Sequence, residues 1–316
     1  MTQRVGIHPL VSPWGRFGLY SFFLDAPEPA IVDTGIASSP AEGMAPALRA
    51  LGRDIADVRW ILLTHGHIDH IGGAYALWEL TGRRAKVVIH AADAPMLRSR
   101  RAHVEEYLHG RARYLKDPDG EANQTRTAQA AISGELEPDV LVTGGETLDL
   151  GGVSVSVHAL PGHSAGPVAY AVEGQGDVFV GDAVQVHGAA NGFPGYEDPL
   201  AARASLHLLR ETLDPRRLYL GHPYRNAAGV PYGVQLDRAQ ADEAIVQSIE
   251  AEERLAEAAE RYLRDGVLAT DSPYSPFQRV ADEVGYTSDP TLEPSPFFTT
   301  LGGYARHFHA EEHRHG

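Results

Sequence analysis

Residues Trp60 to Gly73 read WILLTHGHIDHIGG: an apolar run, then His65, His67, Asp69 and His70 within six positions, then two glycines. Polar groups left unpaired at the end of a buried run are costly, and imidazoles grouped with a carboxylate suit a metal ion. His65 and His67 stand two apart in an extended loop and can reach one ion from the same side, whereas Asp69 and His70 point at a neighbouring position. Two adjacent metal sites follow. The same layout, an apolar run ending in a ligand-type residue beside a small or turn-forming one, recurs in VSVHALPGH at His163, DVFVGD at Asp182 and RLYLGH at His222. Rigid strands converge polar side chains on one point at a sheet edge, so these seven residues are expected to share a site. Paired metals about 3.5–4 Å apart share a hydroxide, and a metal-bound water of pKa about 7 is a nucleophile that needs neither Ser nor Cys. Asp182 suits the bridge between the two ions.

The elements that must position these residues alternate β and α. LYSFFLD and PAIVDTG read as a hairpin-like pair of strands, followed by a helix in SPAEGMAPALRALG with Ser39 as N-cap, Pro40 at its first position and Gly52 closing it. RWILL is a buried strand, IGGAYALWELTG a helix opening directly after the histidines, and AKVVIH another strand. Residues 91–137, rich in Arg, Ala, Glu and Gln, read as inserted helices. From Val140 the β pattern returns in VLVTGG, ETLDLGG, VSVSVHAL, PVAYAVEG and DVFVGD, consistent with a second sheet. A helix (DPLAARASLHLLRETL), a strand (RLYLGH), a long charged amphipathic helix over 236–265 and short helices linked by Pro-rich turns complete the chain.

The 316 residues, 43% of them hydrophobic, support a well-buried core. With 42 acidic against 27 basic residues the formal charge is −15, and no Lys/Arg cluster suggests a groove that tracks phosphates, so nucleic acid is not expected as a partner. No segment approaches the roughly 20 apolar residues of a membrane span, and the N-terminus lacks the apolar region of a secretory signal; the chain reads as cytoplasmic. The absence of cysteine excludes disulfides, thiolate ligands and cysteine nucleophiles, which leaves nitrogen and oxygen to hold any metal.

The motif THGHIDHIGG, followed in order by PGHSAG, GDA and GHP, resembles the metallo-β-lactamase-fold hydrolase superfamily over about residues 17–225, with all seven ligand positions filled. The resemblance implies an α+β protein, an αββα sandwich of two ββα halves with the site at one end of its two sheets. A catalytic domain over 1–235 would carry the helical insertion at about 91–137, and residues 236–316 would form a C-terminal helical extension packed on it. Carried over residue by residue, His65, His67 and His163 would hold one metal and Asp69, His70 and His222 the other. Asp182 would bridge, and Asp69 would also handle the leaving-group proton. Two zinc ions are the implied cofactors, with iron or manganese as alternatives.

Fold does not decide substrate. Branches with a cysteine ligand are excluded by composition, the histidine-only branch lacks the aspartate supplied here by Asp182, the flavodiiron branch usually has Glu where this chain has His67, and the RNA-processing branch carries basic segments without counterpart here. What remains resembles glyoxalase II-like thioesterases and lactonases, and implies a small-molecule ester, lactone or thioester as substrate. Glyoxalase II proteins hold glutathione with basic residues of a C-terminal helical region, a pattern that LDRAQADEAIVQSIEAEERLAEAAERYL does not show. A mononuclear iron persulfide dioxygenase and a non-catalytic ligand-binding relative are the other readings. Phe193, Tyr196 and Tyr224 are candidate walls for an acyl or aromatic group, and His187 could face the pocket; for each, packing is the competing reading. Asp33 in VDTG either orients a ligand histidine or makes a strand-end turn. The acidic helix from 236 is a solvated face packed on the sandwich and could also build a homodimer contact. His307, His309, His313 and His315 read as a solvated tail.

Overall fold

A computed structural model describes residues 4–15, 17–111, 114–115, 118–189, 192–266, 268–291 and 296–315. Its centre is two six-stranded sheets stacked face to face. The first runs β1 (Gly6–Trp14), β2 (Phe17–Asp25), β3 (Ala30–Val32), β4 (Trp60–Leu62), β5 (Lys86–His90) and β6 (Val140–Val142) in that order. The second runs β12 (Gln235–Asp237), β11 (Arg217–Leu220), β10 (Asp177–Gly181), β9 (Val168–Val172), β8 (Ser154–Ala159) and β7 (Thr147–Asp149).

Side-chain alternation gives the central strands two buried faces, which is why β3, β4, β5, β9, β10 and β11 read as near-continuous apolar runs, whereas the edge strands β1, β7 and β12 are partly exposed. Phe22, Leu24, Trp60, Leu62 and Val88 point inward and meet Val155, Val157, Tyr170 and Phe179 of the other sheet. Their neighbours Phe23, Ile31, Ile61, Val87 and Ile89 point outward onto helices α1 (Ala45–Ala50), α2 (Ile68–Ile71), α3 (Ala74–Leu80) and α4 (Ala94–Arg98). Helices α5 (Arg100–Arg111) and α6 (Gly120–Ala131) extend that layer as the insertion. On the far side, Val178, Val180, Leu218 and Leu220 pack on α7 (Pro199–Leu208) and α8 (Arg238–Leu263). The result is the expected αββα sandwich. A further cluster of Phe193, Leu255, Phe277, Phe297, Phe298 and Tyr304 joins α8 to α9 (Gln278–Val284) and α10 (Pro296–His315).

Several local expectations need correction. Strand β1, which the sequence pattern did not announce, pairs along its whole length with β2. Val140–Val142 does not open the second sheet; it closes the first, parallel to β5. Ser39 is not a side-chain cap: its backbone is already helical, and its hydroxyl accepts instead from the Ile36 N–H at 3.0 Å. The helix after the histidines starts inside the motif, at Ile68, so Asp69 and His70 sit on its first turn. The C-terminal region contains α10, a 20-residue helix, where short helices were expected. Among the described residues no helix is long and apolar enough to cross a membrane.

Candidate metal centre

Strands β4, β8, β10 and β11 all end at the same edge of the sandwich, and the loops that follow them, with the first turn of α2, carry the seven predicted residues. His65 lies just past β4, and His67 is the extended residue that precedes α2. Asp182 follows β10 directly, His222 lies two residues past β11, and His163 sits in the turn after β8. The structure brings all seven together. Ligand atoms lie within 4.8 Å of one another in three groups: His65, His67 and His163; Asp69, His70 and His222; and His65, His70 and Asp182. The third shares His65 with the first and His70 with the second, and Asp182 stands between them. Its Oδ2 lies 3.6 Å from His163 Nε2 and 3.4 Å from His222 Nε2, and its Oδ1 lies 3.5 Å from His70 Nε2. Gly221 makes that placement possible, since a Cβ there would fall 2.1 Å from Asp182 Oδ1.

The outer ring nitrogens decide which nitrogen faces inward. Asp33, in a left-handed conformation that Asp tolerates (φ 58°), accepts from His70 Nδ1 at 2.9 Å and from the Thr64 amide at 2.8 Å. Of the two readings of Asp33, the orientation of a histidine is thus the observed contact. His163 Nδ1 donates to the Gly195 carbonyl at 2.7 Å, and His65 Nδ1 lies 3.2 Å from the Thr64 hydroxyl. Turned inward, His65 Nε2 and His163 Nε2 approach His67 Nδ1 at 3.1 and 2.9 Å.

Electrostatics agrees with a cation at this point. Burial, reinforced by the neighbouring imidazoles, pushes His65 and His67 well below the usual histidine range, so both stay neutral as ligands must. Burial resists ionisation of Asp69 and Asp182, yet the adjacent His70 and His222 hold both below the usual carboxylate range. Burial likewise resists protonation of His70 and His222, but Asp182 and its fellow carboxylates raise both. Among the described residues, buried His70 Nε2 and Asp182 Oδ1 have no hydrogen-bond partner. Two unsatisfied donor atoms of imidazole and carboxylate type, aimed at one spot, fit a divalent ion bound between them.

The candidate substrate residues separate. Tyr224 is buried beside the centre, its ring edge-on to His222 at 5.9 Å, and burial together with the Asp182 charge raises its hydroxyl far above the usual range. Phe193 instead packs between Tyr286 and Phe297, at 4.9 and 5.2 Å, in the C-terminal aromatic cluster. Tyr196 is buried, and burial followed by the nearby Glu252 charge raises its hydroxyl. His187 is half-buried, with burial and Arg254 of α8 lowering it against the pull of Glu250. His307 and His309 lie on α10; the side chains of His313 and His315 are outside the described residues.

Sequence reasoning missed four residues here. Asp93, at the start of α4, accepts from the Gly66 amide at 2.7 Å and the Ser164 hydroxyl at 3.0 Å, tying the loop of His65 and His67 to that of His163. Gln185 donates to the carbonyls of Asp182 and Gly195, at 3.0 and 3.1 Å. Buried Thr300 of α10 bonds the loop that carries Gly195. His103 of α5 is buried near His67 and Asp69, and burial pushes it down to about 4. His103 and Thr300 lie on helices, which carry no such pattern; Asp93 and Gln185 stand three and four residues past β5 and β10, a position that could have flagged them.

This fold and cluster define a metallo-hydrolase class, and the chain belongs to the metallo-beta-lactamase superfamily, whose model matches residues 20–222. Among curated proteins it is 26% identical over 281 residues to a hydroxyacylglutathione hydrolase of Anaeromyxobacter dehalogenans (strain 2CP-C), covering 89% of this chain and 86% of that protein. It is 32% identical to a hydroxyacylglutathione hydrolase of Acidiphilium cryptum (strain JF-5), over 58% of each chain. It is 31% identical to a probable metallo-hydrolase of Mycobacterium tuberculosis (strain ATCC 25618 / H37Rv), over 65% of this chain and 58% of that one. Among solved structures, a metallo-beta-lactamase family protein of Thermus thermophilus superimposes with a TM-score of 0.69 at 21% identity, covering 98% of this chain and 94% of that one.

Proposed function

We propose that the chain hydrolyses a carboxylic ester-type bond, a thioester, ester or lactone, using two divalent ions. His65, His67 and His163 would hold one ion, Asp69, His70 and His222 the other, with Asp182 between them. The observation that carries this reading is that the donor group of buried Asp182 shares His65 with one triad and His70 with the other, while Asp182 Oδ2 lies 3.6 and 3.4 Å from His163 and His222 Nε2. Bound there, zinc ions would polarise a carbonyl oxygen and lower the pKa of a water. Nitrogen and carboxylate donors favour zinc and also admit iron or manganese.

The protein's own groups supply the rest. Asp33, Thr64 and Gly195 fix three imidazoles in the tautomer that turns a bare nitrogen inward. Asp69 Oδ2, 3.0 Å from His222 Nε2, belongs to a carboxylate that is partly open to solvent, which suits it to pass a proton to a departing thiol or alcohol. Tyr224 stays protonated beside Asp182 and can donate to a substrate oxygen.

The two named hydroxyacylglutathione hydrolases favour a thioester among the three bond types. The mostly acidic sequence of α8, which lacks the basic pattern that the resemblance associates with glutathione, argues against glutathione itself as the leaving group, because a leaving group bearing two carboxylates finds no counter-charge there.

The test is elemental analysis of the purified chain, followed by a panel of S-lactoylglutathione, neutral thioesters, aryl esters and lactones. Two divalent ions per chain and turnover of neutral thioesters at roughly ten times the rate of S-lactoylglutathione or more are expected. One iron per chain without hydrolysis of any panel member would overturn the reading.

A further inference from the structure

We infer that helix α10, through Thr300, sets the position of His163 and so governs how tightly the ion in the His65–His67–His163 group is retained; this rests on the reading of His163 as a ligand. The link runs through Pro194, Gly195 and Tyr196. These residues are buried but belong to no strand or helix, so their backbone groups must find partners elsewhere.

Thr300 satisfies two of them at once. Its hydroxyl donates to the Pro194 carbonyl at 2.8 Å and accepts from the Tyr196 amide at 2.8 Å. A helical threonine ordinarily returns its hydroxyl to a carbonyl of its own preceding turn; this one spends both functions on a segment more than 100 residues away. Between the two anchored positions stands Gly195. Its amide donates to Gln185 Oε1 at 2.6 Å, and its carbonyl accepts from His163 Nδ1 at 2.7 Å and from Gln185 Nε2 at 3.1 Å. That amide bond fixes the Gln185 side chain with Nε2 as donor, and Nε2 also reaches the carbonyl of Asp182 at 3.0 Å. The 2.7 Å approach of Gln185 Nε2 to His163 Nδ1 is therefore a close contact between two N–H groups rather than a hydrogen bond.

Gly195 also leaves room for α10 itself, because a Cβ there would lie 3.0 Å from Pro296 in the first turn of that helix. The helix is immobilised in turn by Phe297, Phe298 and Leu301 in the aromatic cluster and by the Tyr304 hydroxyl on Glu252 of α8. The direction of His163 Nε2 thus depends on one carbonyl, and the position of that carbonyl depends on a hydroxyl of the C-terminal helix. Thr300 is a positioning residue: it touches neither the metal-ligand atoms nor the space between them.

The experiment compares zinc-loaded full-length chains carrying Thr300→Val, Thr300→Ser, His163→Ala and Leu301→Ala. Each is challenged with excess chelator, retained zinc is followed by elemental mass spectrometry, and each variant's melting temperature is recorded beside it. Thr300→Val should hold one zinc as the parent does and lose the other about 10 to 100 times faster, while Thr300→Ser behaves as the parent. Leu301→Ala, which empties part of the same core but leaves the hydrogen bonds intact, should melt earlier with parental zinc release. If Thr300→Val does not fold, Thr300→Ala is read in its place. Parental retention of both ions in the valine or alanine variant, while His163→Ala loses one, overturns the relay alone, as does equal release from Leu301→Ala. Parental retention in His163→Ala overturns the ligand assignment and the relay with it.

Discussion

His70 and His163 approach Asp182 from opposite sides, and the protein holds them by different means. His70 is almost fully buried on the first turn of α2, with its outer nitrogen against the Asp33 carboxylate and its own carbonyl bonded by the Thr34 amide and hydroxyl at 2.8 and 2.7 Å. Every partner there comes from the end of β3 in the same sheet. His163 is more open, and its outer nitrogen rests on a neutral carbonyl in a loop tied to the far end of the chain. A charged acceptor on a rigid strand end holds an imidazole more firmly than a carbonyl on a loop. The two sides of the centre should therefore respond unequally to damage.

Asp182, common to both sides, sets the upper limit of that response. Asp182→Ala removes the carboxylate that stands between the two triads and leaves His70 and His222 without their main counter-charge, so kcat/KM should fall about a thousand-fold or more with loss of both ions. Steady-state kinetics and elemental analysis on the same preparation check this; a variant that keeps two ions and parental turnover would break the comparison at its root. Next comes Asp33. Asp33→Asn keeps a residue that tolerates the left-handed backbone but exchanges a charged acceptor for a neutral one, and should weaken the ion shared by Asp69, His70 and His222 about 10 to 100-fold. Chelator competition reads the loss, which should fall on a different ion from the one released by altering Thr300.

Legibility in the sequence divides along the same line. The seven candidate ligands were visible because most stand at or just past the end of a short apolar run, and a strand that ends in a histidine or aspartate is a local pattern. Asp33 was visible for the same reason, in VDTG at the end of β3. Asp93, His103, Gln185 and Thr300 were not, because what makes each matter is a contact with a distant segment, up to 106 residues away for Thr300. Strand β1 escaped notice because Pro9 and Pro13 interrupt its alternation, although β2 still pairs with it throughout. Helix α10 was obscured by Gly302 and Gly303, interior residues of poor helix propensity that tertiary packing overrides, and by reading Pro296, a favourable first helical residue, as part of a turn. Phe193 and Tyr196 read equally as pocket or core, since an aromatic residue carries no sign of which surface it will cover.

The C-terminal layer that supports His163 has a polar tie of its own. Glu252 of α8 is fully buried and receives Arg203 of α7 and the Tyr304 hydroxyl of α10. Glu252→Gln leaves Arg203 partly unpaired and should cost about 2–4 kcal/mol in denaturant unfolding. The larger part of the zinc lost on partial denaturation should come from the His163 side. Unchanged stability would mean that the three helices are held by the aromatic cluster alone.

The smallest effect concerns pH and again separates the two sides. Glu197 follows Tyr196 directly, in the segment that leads from the Gly195 loop into α7, and folding raises its carboxyl from 4.5 to about 8 through burial and then through Glu106 and Asp93. In the folded chain it therefore keeps a proton that the unfolded chain has already released. Between about pH 4.5 and 8 the folded state binds more protons than the unfolded state, so this group favours folding at the acid end, and its contribution is lost as the pH rises through that window. Glu197→Gln carries no such proton. It should melt with the parent near pH 4.5 and a few degrees above it, on the order of 2–4 °C, near pH 8.5. Melting curves of both proteins across that range decide the matter, and a constant gap would show that the Glu197 carboxyl is solvated rather than strained. A gap that opens with pH would also loosen the parent's Gly195 loop at alkaline pH, so zinc on the His163 side should leave faster there while the ion beside His70 stays.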